Sequence, residues 1–597
     1  MIAILAITIP PLVCVYIRNK ILEKKNTWQQ NAVSYIFSVL LVNWMALMVV
    51  CYGFGGTENL FTTLNTYNSF TCKYILLAIL IGIIEPIAEK LVRKDITINV
   101  NISTVQVRIK NSSKIVMVII YAVILAIHYI IRMFDNSIWG DEGLVVRMAR
   151  LSWNDMLYSV AQNGHSPFHY AFAWGCVKLF GESGFVWHLS AVLPYFIILA
   201  ICITIVRKWF GNMVAVILTT LSSLLDSAIM YNMEIRMYVW CELFILLTFL
   251  ALYKIYLTQK MKYYVLMAFF SLMSAYTHYF ALASIGIMYC VLFIYAIVKK
   301  KNRVIPVILS GGTVLILFMP WLVFVKNTIG GVISNYGLPQ VSWNECVQYI
   351  FCSQYSKYLL LGFFIAIIVW FCYQNKILKF EIIEKKRLKI SVKFPVKIRL
   401  TDEWMWVVSG IFAVFGTIAA AQLISHILYP IITLRYLYIS YIVIWLLIGV
   451  AVSKFNLAKV WTVILVSLVI VSGYPNLANS IQTELENNSR LEKTLELTQN
   501  EIKNDDFIYT DIVHFAWTVS EVYYPDIPHN LFGHVEWWGP EDLSDLDSKT
   551  QYWLFMSAPI TDSIIANLSE QGKAAELIVD DGYIGTGNVW VYKVNNE

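Results

Sequence analysis

Residues 115–143, IVMVIIYAVILAIHYIIRMFDNSIWGDEG, hold the pattern that decides the fold. The first part, 115–132, is almost wholly apolar and has the length an α-helix needs to cross about 30 Å of hydrocarbon. A few residues beyond its end stand Asp141 and Glu142, framed as Trp139-Gly140-Asp141-Glu142-Gly143. A membrane span that opens directly onto paired carboxylates is the unit from which the rest is read.

The apolar half of that unit recurs along the chain. A sequence of 597 residues that is 58% hydrophobic and only 14% charged does not suit a soluble domain, and no nucleic-acid partner is expected. On the length criterion about fourteen spans are predicted. They are 1–17, 31–52, 73–89, 115–132, 185–206, 212–231, 239–257, 263–279, 280–298, 303–325, 357–374, 404–424, 431–452 and 459–473. Lys and Arg should collect in the cytoplasmic loops. They do so in Arg18 to Lys25, Lys90 to Lys114, Arg207-Lys208, Lys254 to Lys262, Lys299 to Arg303 and Lys376 to Arg399, all on one predicted side. Both termini then lie outside. Segment 1–17 lacks a basic start and a small-residue cleavage site, and is expected to be a retained span.

Three connections on the outer side are too long or too structured for turns. Loop 133–184 is expected to carry two helices lying along the membrane surface. One falls over 144–158, with Leu144, Met148, Leu151 and Met156 near one face, and the other over 167–180. Loop 326–356, with Gly330-Gly331 and Pro339, reads as a flap over a cavity. From about 475 a polar helical pattern through 476–503 gives way to strand-like runs at 507–510, 552–556 and 589–594. The expected fold is therefore an all-α polytopic membrane bundle with a small extracytoplasmic α/β C-terminal domain. Its expected domains are 1–114, with extra spans and a cytoplasmic loop, a core over 115–474, and a soluble domain over 475–597. Most of the ten cysteines fall in spans as packing residues. Cys51 with Cys72, and Cys346 with Cys352, are outer pairs that could bridge.

The Asp141–Glu142 pair alone would suit a solvated loop or an acidic helix start. Adjacent carboxylates near a low-dielectric boundary also raise the pKa of at least one, which is a way to make a general base. Three further outer edges carry ionisable groups: Glu234 and Arg236, His278 beside Tyr279, and Arg435 beside Tyr436. Each has a plain explanation, as a mutual ion pair, a bonded backbone carbonyl, or a cation snorkelling to lipid phosphate. Their joint placement on one face with the acidic loop favours a polar cavity opening outward.

The ordered set W-G-D-E-G at 139–143, H-S-P-F-H-Y at 165–170, K-L-F-G at 178–181, M-E-I-R-M-Y at 233–238, T-H-Y-F at 277–280 and L-R-Y at 434–436 spans about 115–473. It resembles the bacterial polytopic glycosyltransferases of GT-C fold, in particular the protein-mannosyltransferase-like and RgtA/B/C/D-like group, family 39-like. The resemblance implies transfer of a hexose or pentose from a polyprenyl-phosphate donor, with inversion, to a glycan, lipid or protein acceptor of the cell envelope. It implies Asp141 as general base or metal ligand, Glu142 in support and Glu234 as a second acidic group. His165 and Pro167 match the start of the second surface helix. Arg236, His278 and Arg435, with Tyr279 and Tyr436, are the expected substrate contacts. Where relatives carry an Arg-Leu-Pro-Ser run, this chain has His188-Leu189-Ser190-Ala191, which departs from the pattern.

The residues suit that chemistry, which needs a carboxylate to take a proton and cations to stabilise a departing phosphate. No Walker loop or dinucleotide fingerprint is visible. A divalent cation is compatible with two carboxylates and a histidine but is not required by their spacing. The rival reading is a transporter, or a flippase or polymerase of lipid-linked glycans, in which buried charges would mark a path near the midplane.

Overall fold

A computed structural model describes residues 97–101, 111–335, 339–351, 356–375, 378–383, 387–392, 401–428, 430–454, 458–511, 518–531, 551–585 and 587–596. The predicted spans at 1–17, 31–52 and 73–89, and Cys51, Cys72 and Cys352, lie outside the described residues. The chain divides into two compact units, Met1–Val107 with Ile368–Arg399, and Arg108–Ile367 with Leu400–Glu597.

In the first unit, β1 (Thr97–Asn101), β2 (Leu378–Ile383) and β3 (Arg387–Val392) form an antiparallel sheet of order β1-β3-β2. These segments stand out in the sequence as basic connections, but the alternation in TINVN and RLKISV lets them pair as strands. Their pairing constrains topology. Segments that share a sheet lie on one side of the membrane, so an even number of crossings must separate them. The eight spans predicted between 115 and 374 satisfy that parity.

The second unit is helical up to its last hundred or so residues. Helices α1 (Asn111–Arg132), α2 (Gly140–Arg150), α3 (Trp153–Gln162), α4 (Phe168–Phe180) and α5 (Gly184–Phe210) open it. They are followed by α6 (Asn212–Leu224), α7 (Asp226–Tyr231), α8 (Tyr238–Thr258), α9 (Met261–Ala275), α10 (Tyr279–Lys299) and α11 (Val304–Asn335). The series continues with α12 (Trp343–Tyr349), α13 (Ser356–Gln374), whose residues from Ile368 on belong to the first unit, α14 (Asp402–Ile427), α15 (Leu434–Tyr438), α16 (Tyr441–Ser453) and α17 (Ala458–Gln499). Seven described helices are long and apolar enough to cross a membrane, and four shorter apolar ones, in α6, α9, α13 and α16, occupy the other predicted positions. The outward residues of α1 and α11 are lipid-compatible: Val116, Ile120, Ile308 and Ile316 are each more than half exposed.

Where spans fall short of prediction, the reason is local and matters for the site. Span 212–231 breaks at Leu225, whose backbone is extended. Span 263–279 ends at Ala275, and span 431–452 divides between α15 and α16. These breaks leave a layer of irregular backbone at one end of the bundle, tolerated there because it is buried in protein.

Surface helix 144–158 is in fact two helices. The chain turns at Leu151-Ser152, and the Ser152 hydroxyl caps α3 by accepting from the Asp155 N–H at 3.3 Å. The expected flap at 326–356 is partly helical, because α11 runs on to Asn335 and α12 starts behind the Ser342 cap. Span 459–473 and the polar helix after it are one helix of 42 residues, α17, which continues through Pro475. Gly473 lets it close on α6, since a Cβ there would collide with the Leu224 carbonyl.

The polar half of α17 leads into a sheet of order β5-β4-β6-β8-β7. Its strands are β4 (Ile508–Thr510), β5 (His529–Leu531), β6 (Gln551–Met556), β7 (Lys573–Ile584) and β8 (Gly587–Asn596). In β6 the side chains alternate: Trp553 and Phe555 pack with Leu491 of α17, while Tyr552, Leu554 and Met556 pack under Ile564 and Leu568 of α18 (Asp562–Glu570).

Candidate functional site

The site is assembled from the irregular layer. At the start of α2, Asp141 and Glu142 are one residue apart and face different partners. Arg435, in the first turn of α15, donates to Asp141 Oδ2 at 2.5 Å. Arg236 is buried between α7 and α8 and donates to the Asp141 carbonyl oxygen at 2.9 Å and to the Tyr170 hydroxyl at 3.3 Å. Arg435 therefore pairs with protein rather than snorkelling, and Arg236 does not form the ion pair with Glu234 that would have explained both residues away.

Glu142 is 4% exposed and accepts from the Ile235 N–H at 2.7 Å and the Trp139 N–H at 3.2 Å. It thereby staples the turn 139–142 to the segment 233–237. Burial, reinforced by nearby Glu234, holds its carboxyl well above the usual carboxylate range despite those two donors. Glu234 is 6% exposed, and neither carboxyl oxygen has a hydrogen-bond partner. Burial pushes it up to about 7, with Arg236 and Arg435 pulling the other way.

Burial, with the nearby cations adding to it, keeps the histidines neutral. His278 caps α10, its Nδ1 accepting from the Phe280 N–H at 3.1 Å, so its proton sits on Nε2. Burial, then Arg236 and Arg435, push it down to about 3. Its ring lies 4.8 Å from that of Tyr436, which also meets Phe280. His165 stacks on Tyr170 with centroids 5.5 Å apart and is held well below its usual range by burial and by Arg236. Tyr279 turns elsewhere, its hydroxyl accepting from Trp321 Nε1 at 3.3 Å. Asp141, Arg236, Arg435 and Tyr170 thus form one bonded cluster, flanked by two aromatic pairs, His165–Tyr170 and His278–Tyr436. Tyr279 is beside this cluster by sequence only.

A cavity of about 560 Å³ lies against the other side of the 139–142 turn. Its walls include Trp139, Glu142, His188 and Glu234 from the bundle, Glu484 and Asn487 from α17, and Tyr583 from the C-terminal sheet. Arg132 closes one side, making a fork to both Glu484 oxygens and donating to the Ile229 carbonyl at 2.7 Å. The C-terminal region also grips the acidic loop directly. The Tyr523 hydroxyl accepts from the Ile138 N–H at 3.1 Å, and Arg147 pairs with Glu521 at 2.9 Å.

The sequence reading passed over several of these groups. Tyr170 and His169 lie inside the quoted H-S-P-F-H-Y, but nothing in that motif said which side chain would reach Arg236. Glu242, buried in α8 with one oxygen accepting from the Tyr438 hydroxyl at 3.2 Å, could have been found as the carboxylate of an otherwise apolar span. Cys346 is a free buried thiol that accepts from Gln422 Nε2 at 3.4 Å. Among the described residues no group of three or more His, Cys, Asp or Glu could hold a metal ion.

No family model matches the sequence, and no curated protein matches it. Solved structures do. The chain is similar to ArnT from Cupriavidus metallidurans in the apo state, with a TM-score of 0.53 at 12% identity over 81% of this chain and 98% of that one. The same protein bound to undecaprenyl phosphate gives 0.50, again at 12% identity, with the same coverage. Arabinosyltransferase EmbB from Mycobacterium smegmatis gives 0.35 at 13% identity over 64% of this chain and 34% of that one, too distant to bear on the fold. The likeness to ArnT shows the fold: a polytopic membrane bundle of the GT-C-like kind that the motif set implied.

Proposed function

We propose that the protein is a membrane glycosyltransferase that moves a sugar from a polyprenyl-phosphate donor to a glycan, lipid or protein acceptor on the outer face of the cell membrane. The observation that carries this reading is the bonded cluster Asp141–Arg435–Arg236 at the irregular end of a bundle folded like ArnT, a protein that has been solved with undecaprenyl phosphate bound.

In this reading Arg236 and Arg435 hold the donor phosphate. Arg435 leaves Asp141 as it engages the phosphate, so the carboxylate becomes available as general base when the donor is in place. Asp141 then takes the acceptor hydroxyl's proton while that oxygen forms its bond to the anomeric carbon. The bond from the anomeric carbon to the phosphate oxygen breaks, and its electron pair leaves with the lipid phosphate, stabilised by the two guanidiniums. A single displacement of this kind inverts the anomeric centre. Glu142 fixes the turn, and Glu234 supplies the second acidic group. His278, neutral with its Nε2–H intact, is a donor, and His165 and Tyr436 complete the substrate contacts, whereas Tyr279, bonded to Trp321, takes no part.

The test is release of free lipid phosphate when the purified protein is incubated with polyprenyl-phosphate sugars. Asp141→Asn should lower the rate by about 10²–10⁴-fold at unchanged expression. Undiminished release by that variant would sink the assignment of the base. Loss of turnover with EDTA, restored by Mg²⁺ or Mn²⁺, would add a cation to the scheme. Labelling of Ser183→Cys by a membrane-impermeant thiol reagent on intact cells checks the orientation.

A second reading, movement of a lipid-linked glycan across the bilayer, is favoured by the buried carboxyl of Glu242. Under it, the lipid-linked sugar would cross proteoliposomes with its phosphate bond intact.

A further inference from the structure

The cavity beside the Asp141 turn has chemistry opposite to that of the Arg236–Arg435 cluster. Asp135, Glu142, Asp226, Glu234 and Glu484 contribute carboxylates to it, whereas its cation, Arg132, is already forked onto Glu484. Among the described residues that line it, Arg132 is the one Lys or Arg, and it is committed to Glu484. The buried groups without partners are also of one kind. Both Glu234 oxygens lack a hydrogen-bond donor, in a residue 6% exposed. His188 is 4% exposed, and its Nδ1 lies 3.0 Å from the Met233 carbonyl, to which it can only donate. Its Nε2 is therefore an acceptor, and it too has no partner. Buried acceptors left unsatisfied cost free energy that a ligand rich in O–H groups would recover. Trp139 and Tyr583 add aromatic faces, and Ser480 and Asn487 add neutral polar groups, the lining expected of a small-molecule site.

We infer that this cavity is the acceptor subsite, and that it takes a hydroxyl-rich sugar without anionic groups. This rests on the glycosyltransferase reading for its place in the reaction, because the turn bearing Trp139 and Glu142 on the cavity side bears Asp141 on the donor side. In this reading a hydroxyl bound beside Glu234 and His188 approaches Asp141 across that turn, on the side away from the two guanidiniums, as an inverting displacement would need.

The experiment uses the full chain in nanodiscs and two kinds of probe. Binding of a neutral trisaccharide panel and of trigalacturonate is measured by native mass spectrometry, alongside binding of undecaprenyl phosphate. Ser480→Trp and Asn487→Trp, two separate substitutions that fill the cavity from α17, should each weaken neutral trisaccharide binding by about tenfold or more, with undecaprenyl phosphate unaffected. Arg435→Ala should do the reverse. Melting temperatures report that each variant is folded. Preference for trigalacturonate, no saccharide binding at all, or unchanged saccharide binding in both folded Trp variants would overturn the cavity assignment and leave the donor site standing. Failure of undecaprenyl phosphate to bind the wild type would instead overturn the donor reading, while the saccharide arm still reports on the cavity.

Discussion

The two sides of the turn Trp139–Gly143 differ in the sign of their charge. On one side Arg236 and Arg435 converge on Asp141, through its carbonyl and carboxylate respectively. On the other, carboxylates line a cavity whose Arg132 is neutralised by Glu484. Asp141 and Glu142 are neighbours in sequence, yet one is bound by a guanidinium and the other by two backbone N–H groups. Adjacent acids on a helical turn point about 100° apart, so the same two residues can serve two compartments of opposite potential. A paired-carboxylate motif therefore says that a boundary is present, and the partners decide which acid does chemistry.

The contrast can be attacked first at the cationic side. If the proposed mechanism holds, Arg435→Ala should lower kcat/KM for lipid-phosphate release by about a thousandfold, because in that mechanism Arg435 both contacts the phosphate and releases Asp141. Arg435→Lys should recover only part of that loss, since a point charge does not reproduce the guanidinium fork. Equal activity of the Ala variant and wild type would mean that Arg435 is an anchor for α15 and nothing more.

On the cavity side the Arg132–Glu484 fork ties α1 to α17. Arg132→Ala should destabilise by about 2–4 kcal/mol, read as a lower melting temperature, somewhat less than for a fully buried pair because Glu484 is 24% exposed. An unchanged melting temperature would show that α17 is held by apolar packing alone.

An effect of similar size is expected in pH dependence. Glu234 has an ordinary value of 4.5 and is raised to about 7 in the folded protein by burial. The folded state thus binds more protons than the unfolded one between those values, so stability should fall as pH rises from about 4.5 through about 7, and level off above. Glu142, shifted in the same direction, adds to that slope. Glu234→Gln should flatten the melting-temperature profile across this window without abolishing it. A profile that keeps its full slope in the variant would assign the shift elsewhere.

Much of this was legible in the sequence because membrane spans announce themselves by length and hydropathy alone. Each of the eleven predicted spans from 115 onward meets a helix, and the candidate residues Asp141, Arg236 and Arg435 are brought into contact. What was not legible depended on backbone breaks and on partners distant in sequence. No local pattern says that α9 stops at Ala275, freeing His278 to cap the next helix, or that Arg132 will meet a glutamate 352 residues away. The sheet of β1, β2 and β3 escaped because its residues were read for charge rather than period. The continuity of α17 escaped because a change in polarity was taken for a change in structure.

At about 1.5 Å per residue, the 42 residues of α17 extend roughly 63 Å, twice the hydrocarbon thickness of a bilayer. An apolar foot in lipid and a polar shaft carrying Glu484 make the helix a lever. A thicker membrane would draw the foot upright, a thinner one would tilt it, and either motion would be felt at the far end. Because Glu484 both walls the cavity and is forked to Arg132, a mismatch at the foot would be carried as load on that ion pair.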